Sequence, residues 1–75
     1  MSQSYIHFVP LGSSTSGLTK LWSVKSVAGV TLGTISWHAP WRRYCFTPAT
    51  NTIFDANCLQ EINNFLFQEM VKHAS

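Results

Sequence analysis

The last third of the chain carries a helical pattern, whereas the segments before it alternate in the manner of strands. From about Ala56 to His73, apolar residues recur three and four positions apart, which predicts one amphipathic helix. Asp55 precedes this segment and is a suitable N-cap, because a carboxylate accepts hydrogen bonds from the free amides of a first helical turn. The stripe expected to be buried against a sheet consists of Cys58, Leu59, Ile62, Phe65, Leu66 and Met70.

Four segments ahead of the helix are rich in β-branched and aromatic residues, the composition typical of strands. The expected strands are Tyr5–Val9, Leu21–Val27, Thr31–Trp37 and Trp41–Thr47. Turn-forming glycine or proline separates successive segments, so they are expected to pair as a meander. The sequence therefore predicts an α+β fold in a single domain, residues 1–75. It is a three- to four-stranded antiparallel meander packed against one C-terminal helix.

Two details of the sheet follow from its glycines. The segment from Leu11 to Thr19 contains two glycines and three serines, so it is expected to be a loop. It is long for a hairpin connection, and it either moves freely or orders over a ligand. Gly33 lies inside the third strand, which indicates a bulge or a close approach by another backbone or ring.

The chain has few charges for its size. Charged residues make up 11% of it and hydrophobic residues 45%, against about 25% charged residues in an average domain. Some apolar surface is therefore either exposed or covered by another subunit. Phe67 and Val71 widen the apolar arc of the helix beyond what one sheet covers. Either the loop from Leu11 to Thr19 folds over them or they form a dimer contact; we expect a homo-oligomer, in particular a dimer.

Charge, cysteine spacing and hydropathy narrow the class of protein. A net charge of +2 is too small to indicate nucleic-acid binding by itself. Cys45 and Cys58 have neither CxxC nor zinc-ligand spacing, so two reduced cysteines, no metal site and a cytoplasmic protein are expected. No apolar run approaches the roughly 20 residues of a membrane-spanning helix, so no membrane association is expected.

The densest group of functional side chains lies within eight residues of the third and fourth segments. The candidate ligand-binding residues are Trp37, His38, Trp41, Arg42, Arg43 and Tyr44. Aromatic faces stack on bases, and guanidinium groups bind phosphate or carboxylate through paired hydrogen bonds. Strand alternation separates Arg42 from Arg43, so one site holds both only through a bulge or a second subunit. The alternative is that Trp37, Tyr44 and Phe46 belong to the core and the arginines are solvated.

No arrangement of side chains indicates catalysis. The histidines are scattered along the sequence, at His7, His38 and His73. Asp55 is assigned to the helix cap, and Glu61 and Glu69 lie about two turns apart on the helix. Acid–base or nucleophilic chemistry needs such groups close together. We therefore expect a protein that is not an enzyme, has no catalytic residues and uses no cofactor.

Two sequence patterns in the chain resemble those of a group of other proteins. From Gly33 to Pro48 the sequence follows G-x-I-x-W-x3-W-R-x-Y-x-F-x-P, and from Thr52 to Phe65 it follows T-x-F-D-x2-C-L-x-E-I-x2-F. Over most of the chain after Thr19 it resembles a group of short uncharacterised proteins from phage and bacterial genomes. The resemblance implies a phage or prophage setting and carries over no catalytic residue.

The phage or prophage setting suggests a hypothesis about the function. Small phage proteins of this kind often counteract host defence, and some sequester nucleotide signals in oligomeric pockets. We therefore expect a non-enzymatic protein that binds a small anionic, nucleotide-type ligand, as a phage counter-defence factor. Two alternatives stay open. One is a protein-interaction or inhibitor module that binds a host protein through apolar surface; the other is a single-stranded nucleic-acid binder that uses the same aromatic and arginine residues.

Overall fold

The computed structural model describes residues 5–13, 17 and 19–74, and within them it contains one sheet and one long helix. The strands are β1 (Ile6–Ser13), β2 (Lys20–Ser26), β3 (Thr31–His38) and β4 (Arg43–Pro48). Each strand pairs antiparallel with the next, so the sheet is open, with β1 and β4 at its edges. Helix α1 (Ala56–Ala74) packs on one face. The predicted α+β class is confirmed, with four strands.

The core lies between α1 and the sheet. Its most buried apolar side chains are Ile6, Trp22, Val24, Ile35, Tyr44 and Ile62. Five of them come from strands, because alternation sends every second side chain toward the helix. Phe65 meets the ring of Trp22 edge to face at 5.0 Å, so the middle of α1 is fixed over the centre of the sheet.

The start of α1 is capped as predicted. The amide of Cys58 donates to Oδ1 of Asp55 across 2.8 Å, and the amide of Leu59 donates to the Asp55 carbonyl across 3.0 Å. The hydrogen bond from the Cys58 amide stabilises the charged carboxylate, so the pKa of Asp55 lies below its ordinary value. Burial, together with the Asp55 carboxylate, raises the pKa of the Cys58 thiol.

Gly33 is the close approach that the sequence indicated. A Cβ atom at this position would come within 2.6 Å of Cε1 of Phe46 and would overlap the carbonyl oxygen of Thr47. The register between β2 and β3 also shifts next to it, between Val24 and Lys25. The absence of a side chain at Gly33 therefore lets the Phe46 ring lie against the strand.

The expected end of the first strand was wrong. β1 does not stop before Pro10 but continues to Ser13, with an irregularity between Pro10 and Gly12. The Val27 amide donates to the Tyr5 carbonyl across 3.0 Å, and alternation from that bonded pair leaves the nitrogen of Pro10 on the outer side of the strand. A proline on an edge strand thus costs no ladder bond.

This longer strand also shortens the expected loop. Leu11 and Gly12 belong to β1, together with Ser13. Most of the remaining loop, residues 14–16 and 18, lies outside the described residues.

The predicted burial of the helix holds for Ile62, which is 3% exposed, and in part for Phe65 and Leu66, which are half-buried. It was wrong for Leu59, which is 51% exposed. Leu59 lies four residues before Asn63, on the side of α1 that faces β4. Because β4 is the last strand, no further strand covers that side of the helix.

Candidate functional site

The connection between β3 and β4 determines how the predicted site residues are arranged. Pro40 starts a single 3₁₀ turn, Ala39–Trp41, which suits proline because its fixed φ matches a first helical position. Arg42 follows in the left-handed conformation, with φ 53°, and its amide donates to the Ala39 carbonyl across 3.1 Å. The strand therefore begins at Arg43 and not at Trp41 as expected. Alternation along β4 does not extend to Arg42, so the expectation that strand alternation separates Arg42 from Arg43 was wrong.

Two of the six candidate residues face the helix. Trp37 and Tyr44 are cross-strand partners whose rings meet edge to face at 5.3 Å. Tyr44 is 6% exposed, and its hydroxyl accepts a hydrogen bond from the Lys20 amide across 3.2 Å. The Tyr44 amide donates to Sδ of Met70 across 3.3 Å. These contacts make Tyr44 part of the core and tie the candidate site to α1.

His73 joins this pair, which the sequence analysis missed. Its ring lies 4.4 Å from that of Trp37 and 6.0 Å from that of Tyr44. The signal was present in the helical period, because His73 follows Ile62 by eleven residues, or about three turns, and so shares its face of α1.

The other four candidates lie together on the surface, and we call His38, Trp41, Arg42 and Arg43 the hairpin-end cluster. All four are exposed, Trp41 by 65%. The His38 ring stands edge to face with the Trp41 indole at 4.9 Å. Nε of Arg43 donates to the Trp41 carbonyl across 3.3 Å, which holds the guanidinium beside the turn. An aromatic face and two cations are thus presented at one end of the sheet.

The cluster adjoins a sheet face that carries no carboxylate. Alternation places a mixture of hydroxyl, apolar and basic side chains on the face opposite α1, which we call the open face. Its residues are His7, Val9, Leu21, Ser23, Lys25, Thr34, Ser36, His38, Arg43, Cys45 and Thr47. The three acidic residues of the chain all lie between positions 55 and 69, in or just before α1. An anion at the open face would therefore meet positive charge alone.

A groove on the helix side is chemically different. It has a volume of about 410 Å³ and is lined by Gly17, Lys20, Tyr44, Glu69, Lys72 and His73. Oε2 of Glu69 accepts from Nζ of Lys72 across 3.2 Å, so the groove contains an ion pair. An anion there would meet a carboxylate as well as ammonium groups, which favours the hairpin-end cluster as the anion site.

The thiols of Cys45 and Cys58 are free and half-buried. In the part of the chain that the structure describes, no three His, Cys, Asp or Glu side chains are grouped so as to hold a metal ion. Over the same residues, no helix combines the length and apolar character needed to cross a membrane.

The chain is similar to a small phage protein. It is 29% identical over 69 residues to an uncharacterised 9.3 kDa protein of Acholeplasma phage L2, across 92% of this chain and 88% of that protein. Neither a protein-family model nor a solved structure matches. The similarity supports the expected relation to small phage proteins, while the specific patterns from Gly33 to Phe65 stay a prediction.

Proposed function

We propose that the protein binds a small nucleotide-type anion at the hairpin-end cluster and carries out no reaction on it. The observation that carries the proposal is the exposed indole of Trp41, next to Arg42 and Arg43, at the end of a sheet face without carboxylates. An exposed aromatic ring is a platform on which any base can stack. Guanidinium groups next to it supply hydrogen bonds to a phosphate.

Each residue of the hairpin-end cluster would contact a different part of the ligand. The face of Trp41 would stack on the base, and its orientation is maintained by the edge contact with His38. Arg43 is the better placed phosphate contact, because its bond to the Trp41 carbonyl uses only Nε and leaves the terminal nitrogens for a ligand. Such charge-assisted hydrogen bonds contribute about 1.5–3 kcal/mol each.

Binding without turnover would suit a role in sequestration. The three carboxylates lie in or just before α1. The Cys45 thiol is next to the cluster, but it donates to the Arg43 carbonyl across 3.8 Å, so it is not paired with a base that would make it a nucleophile. The similarity to a phage protein supports a counter-defence setting. There, a small protein in excess would lower the free concentration of a host nucleotide signal.

The first experiment identifies the ligand. Protein purified under native conditions is denatured, and the released small molecules are analysed by mass spectrometry. In parallel, mono-, di- and cyclic nucleotides are screened by their effect on the melting temperature, since a ligand that binds only the folded state raises it. If no nucleotide or oligonucleotide is released or stabilises the protein, the proposal fails and the host-protein inhibitor hypothesis takes its place.

Variants then locate the site. Arg43→Ala should weaken nucleotide binding by roughly ten- to a hundredfold, the loss expected for one charge-assisted bond. Trp41→Ala should weaken it as well, while both variants keep the parent melting temperature because both residues are exposed. Lys25→Ala is the matched control, since it removes the same charge from the far end of the open face. Equal losses in Arg43→Ala and Lys25→Ala would show unspecific attraction and contradict a site at the cluster.

A second candidate function is single-stranded nucleic-acid binding. Lys25 and Arg43 lie at opposite ends of the open face, three side-chain rows apart, which corresponds to about 20 Å. A strand of a few nucleotides could span both. Its affinity would fall steeply with salt, because each neutralised phosphate releases counterions. A single nucleotide would show a much weaker salt dependence, so a titration between about 50 and 200 mM salt separates the two functions.

A further inference from the structure

From Ala56 to Val71 the exposed side of α1 carries no charge; the exposed Lys72 follows at the end of the helix, beside Phe67 and Val71. Nine residues of the helix between Ala56 and Val71 are exposed, and none of them is ionisable. They are Ala56, Asn57, Leu59, Gln60, Asn63, Asn64, Phe67, Gln68 and Val71. The two charged residues within this stretch, Glu61 and Glu69, are half-buried and buried. The usual arrangement of a surface helix, with charges toward solvent, is reversed here.

Apolar residues form a ridge along this side. Leu59, Asn63, Phe67 and Val71 follow one another at intervals of four, which places them on a single inclined row of the helix surface. Leu59 is 51% exposed, Phe67 69% and Val71 53%. Glutamine and asparagine border the row on its outer side. Depletion of charge with a central aromatic residue is the composition of a protein interface.

We propose that this side of α1, which we call the uncharged helix face, binds a second copy of the same chain. In a two-fold interface the residues near the axis meet their own copies, so a charge there would repel itself. An amide carries both donors and an acceptor and can pair with its own copy. The amides of Gln60, Asn63 and Asn64 are therefore suited to self-association, and they add no repulsion between two chains of net charge +2.

The position of this face in the fold leaves room for the second copy. It lies on the β4 side, where a groove of about 320 Å³ is lined by Arg43, Tyr44, Asn63, Leu66, Phe67 and Met70. Phe67 of one copy can enter this groove on the other as an i±4 ridge packs into the space beside it. Most of the open face is on the opposite side of the sheet, but Arg43 also lines this groove, so the second copy would lie next to the hairpin-end cluster.

Sedimentation equilibrium or light scattering tests the proposal on the full chain, from about 5 to 500 µM protein, since dimerisation follows mass action. The parent should reach twice its mass of 8.4 kDa. Phe67→Glu should weaken the dimer at least a hundredfold. Ile53→Glu is the matched control: it places the same charge on an apolar side chain that is 92% exposed but lies outside α1, and it should dimerise like the parent.

A second pair of variants, with smaller changes in side-chain shape, distinguishes a weaker dimer from a folding defect. Gln60→Glu keeps the shape of the side chain and adds one charge to the uncharged helix face, so it should weaken the dimer about tenfold or more and leave the helical circular dichroism unchanged. Asn51→Asp makes the same kind of change away from α1 and should have no effect. A parent that stays monomeric at the highest concentration overturns the proposal. So does a parent dimer that Phe67→Glu and Ile53→Glu weaken equally.

Discussion

The ring of Phe65 lies parallel to that of Phe8, with 4.1 Å between the centroids and 5° between the planes. The pair connects α1 directly to β1, an edge strand that the helix would otherwise leave half uncovered. Since Phe65 also meets Trp22, one helical side chain holds two strands in place. Stacked aromatic pairs contribute about 0.5–1.5 kcal/mol beyond the area they bury.

We therefore expect Phe65→Ala to lower the free energy of unfolding by about 3 kcal/mol, the lower end for phenylalanine because the side chain is only half-buried. Urea denaturation at low micromolar concentration measures it. Ile53→Ala removes an apolar side chain that is 92% exposed and should change the free energy by less than about 0.5 kcal/mol. Equal effects of the two variants would contradict the packing of α1.

Gly33→Ala should destabilise the pairing of β3 with β4. The added methyl group would collide with the Phe46 ring and with the backbone of Thr47, and the backbone cannot move aside cheaply. Overpacking of this kind costs about 1–3 kcal/mol. Thr34→Ala, at the next position of the same strand, removes an exposed side chain and serves as the control. A stable Gly33→Ala variant would show that β3 and β4 are further apart.

The cap at Asp55 should make stability depend on pH. Its pKa is lowered in the folded state by the Cys58 amide, so the charged carboxylate stabilises the fold above the unfolded pKa of about 3.9. That contribution is lost as the pH falls through the folded pKa. Asp55→Asn keeps an acceptor that does not titrate. The melting temperature of the parent relative to this variant should thus fall between about pH 6 and pH 2.5, and a constant difference would exclude the carboxylate as the cap.

Tyr44→Phe should test the hydroxyl that anchors β4 to β2. The variant leaves the Lys20 amide without its acceptor in a partly buried position, which should lower the free energy of unfolding by about 1 kcal/mol. Tyr5→Phe removes a hydroxyl from a side chain that is 62% exposed and should have almost no effect. If both variants unfold at the same denaturant concentration as the parent, the hydrogen bond does not stabilise the fold.

The parts of the fold that depend on local sequence were predictable. The helical period and the N-cap at Asp55 act within a few residues, so α1 was placed within one residue of its observed end. The exposure of Leu59 and the continuation of β1 through Pro10 depend on which strands form the edges of the sheet. That property arises only from the assembled topology, and the periodicity of a single segment does not contain it.

The same distinction applies to the candidate site. The six candidate residues are close together in the sequence. In the structure, Trp37 and Tyr44 face α1 and the other four form the exposed hairpin-end cluster. Arg42 adopts a left-handed conformation that is uncommon for a residue other than glycine. β4 begins only after Arg42, at Arg43. Alternation along β3 and β4 then turns Trp37 and Tyr44 toward α1 and His38 and Arg43 toward the open face. His73 was missed because it is distant in sequence and reaches Trp37 only through the packing of α1.

Both edge strands carry a proline, and in each strand the alternation of backbone hydrogen bonds shows which way the proline nitrogen points. Pro10 in β1 points its nitrogen outward. In β4 the amide of Ala49, just past the strand end, bonds to Leu32 on β3, so alternation turns the nitrogen of Pro48 outward as well. The outward amide of Tyr44 is engaged by Met70. An additional strand would thus find a missing donor at Pro10 on one edge, and a missing and an occupied donor at Pro48 and Tyr44 on the other. The same alternation leaves the amides of Ile6, Phe8 and Phe46 pointing outward, so the prolines oppose growth of the sheet into fibrils, the hazard of open edges, at single positions.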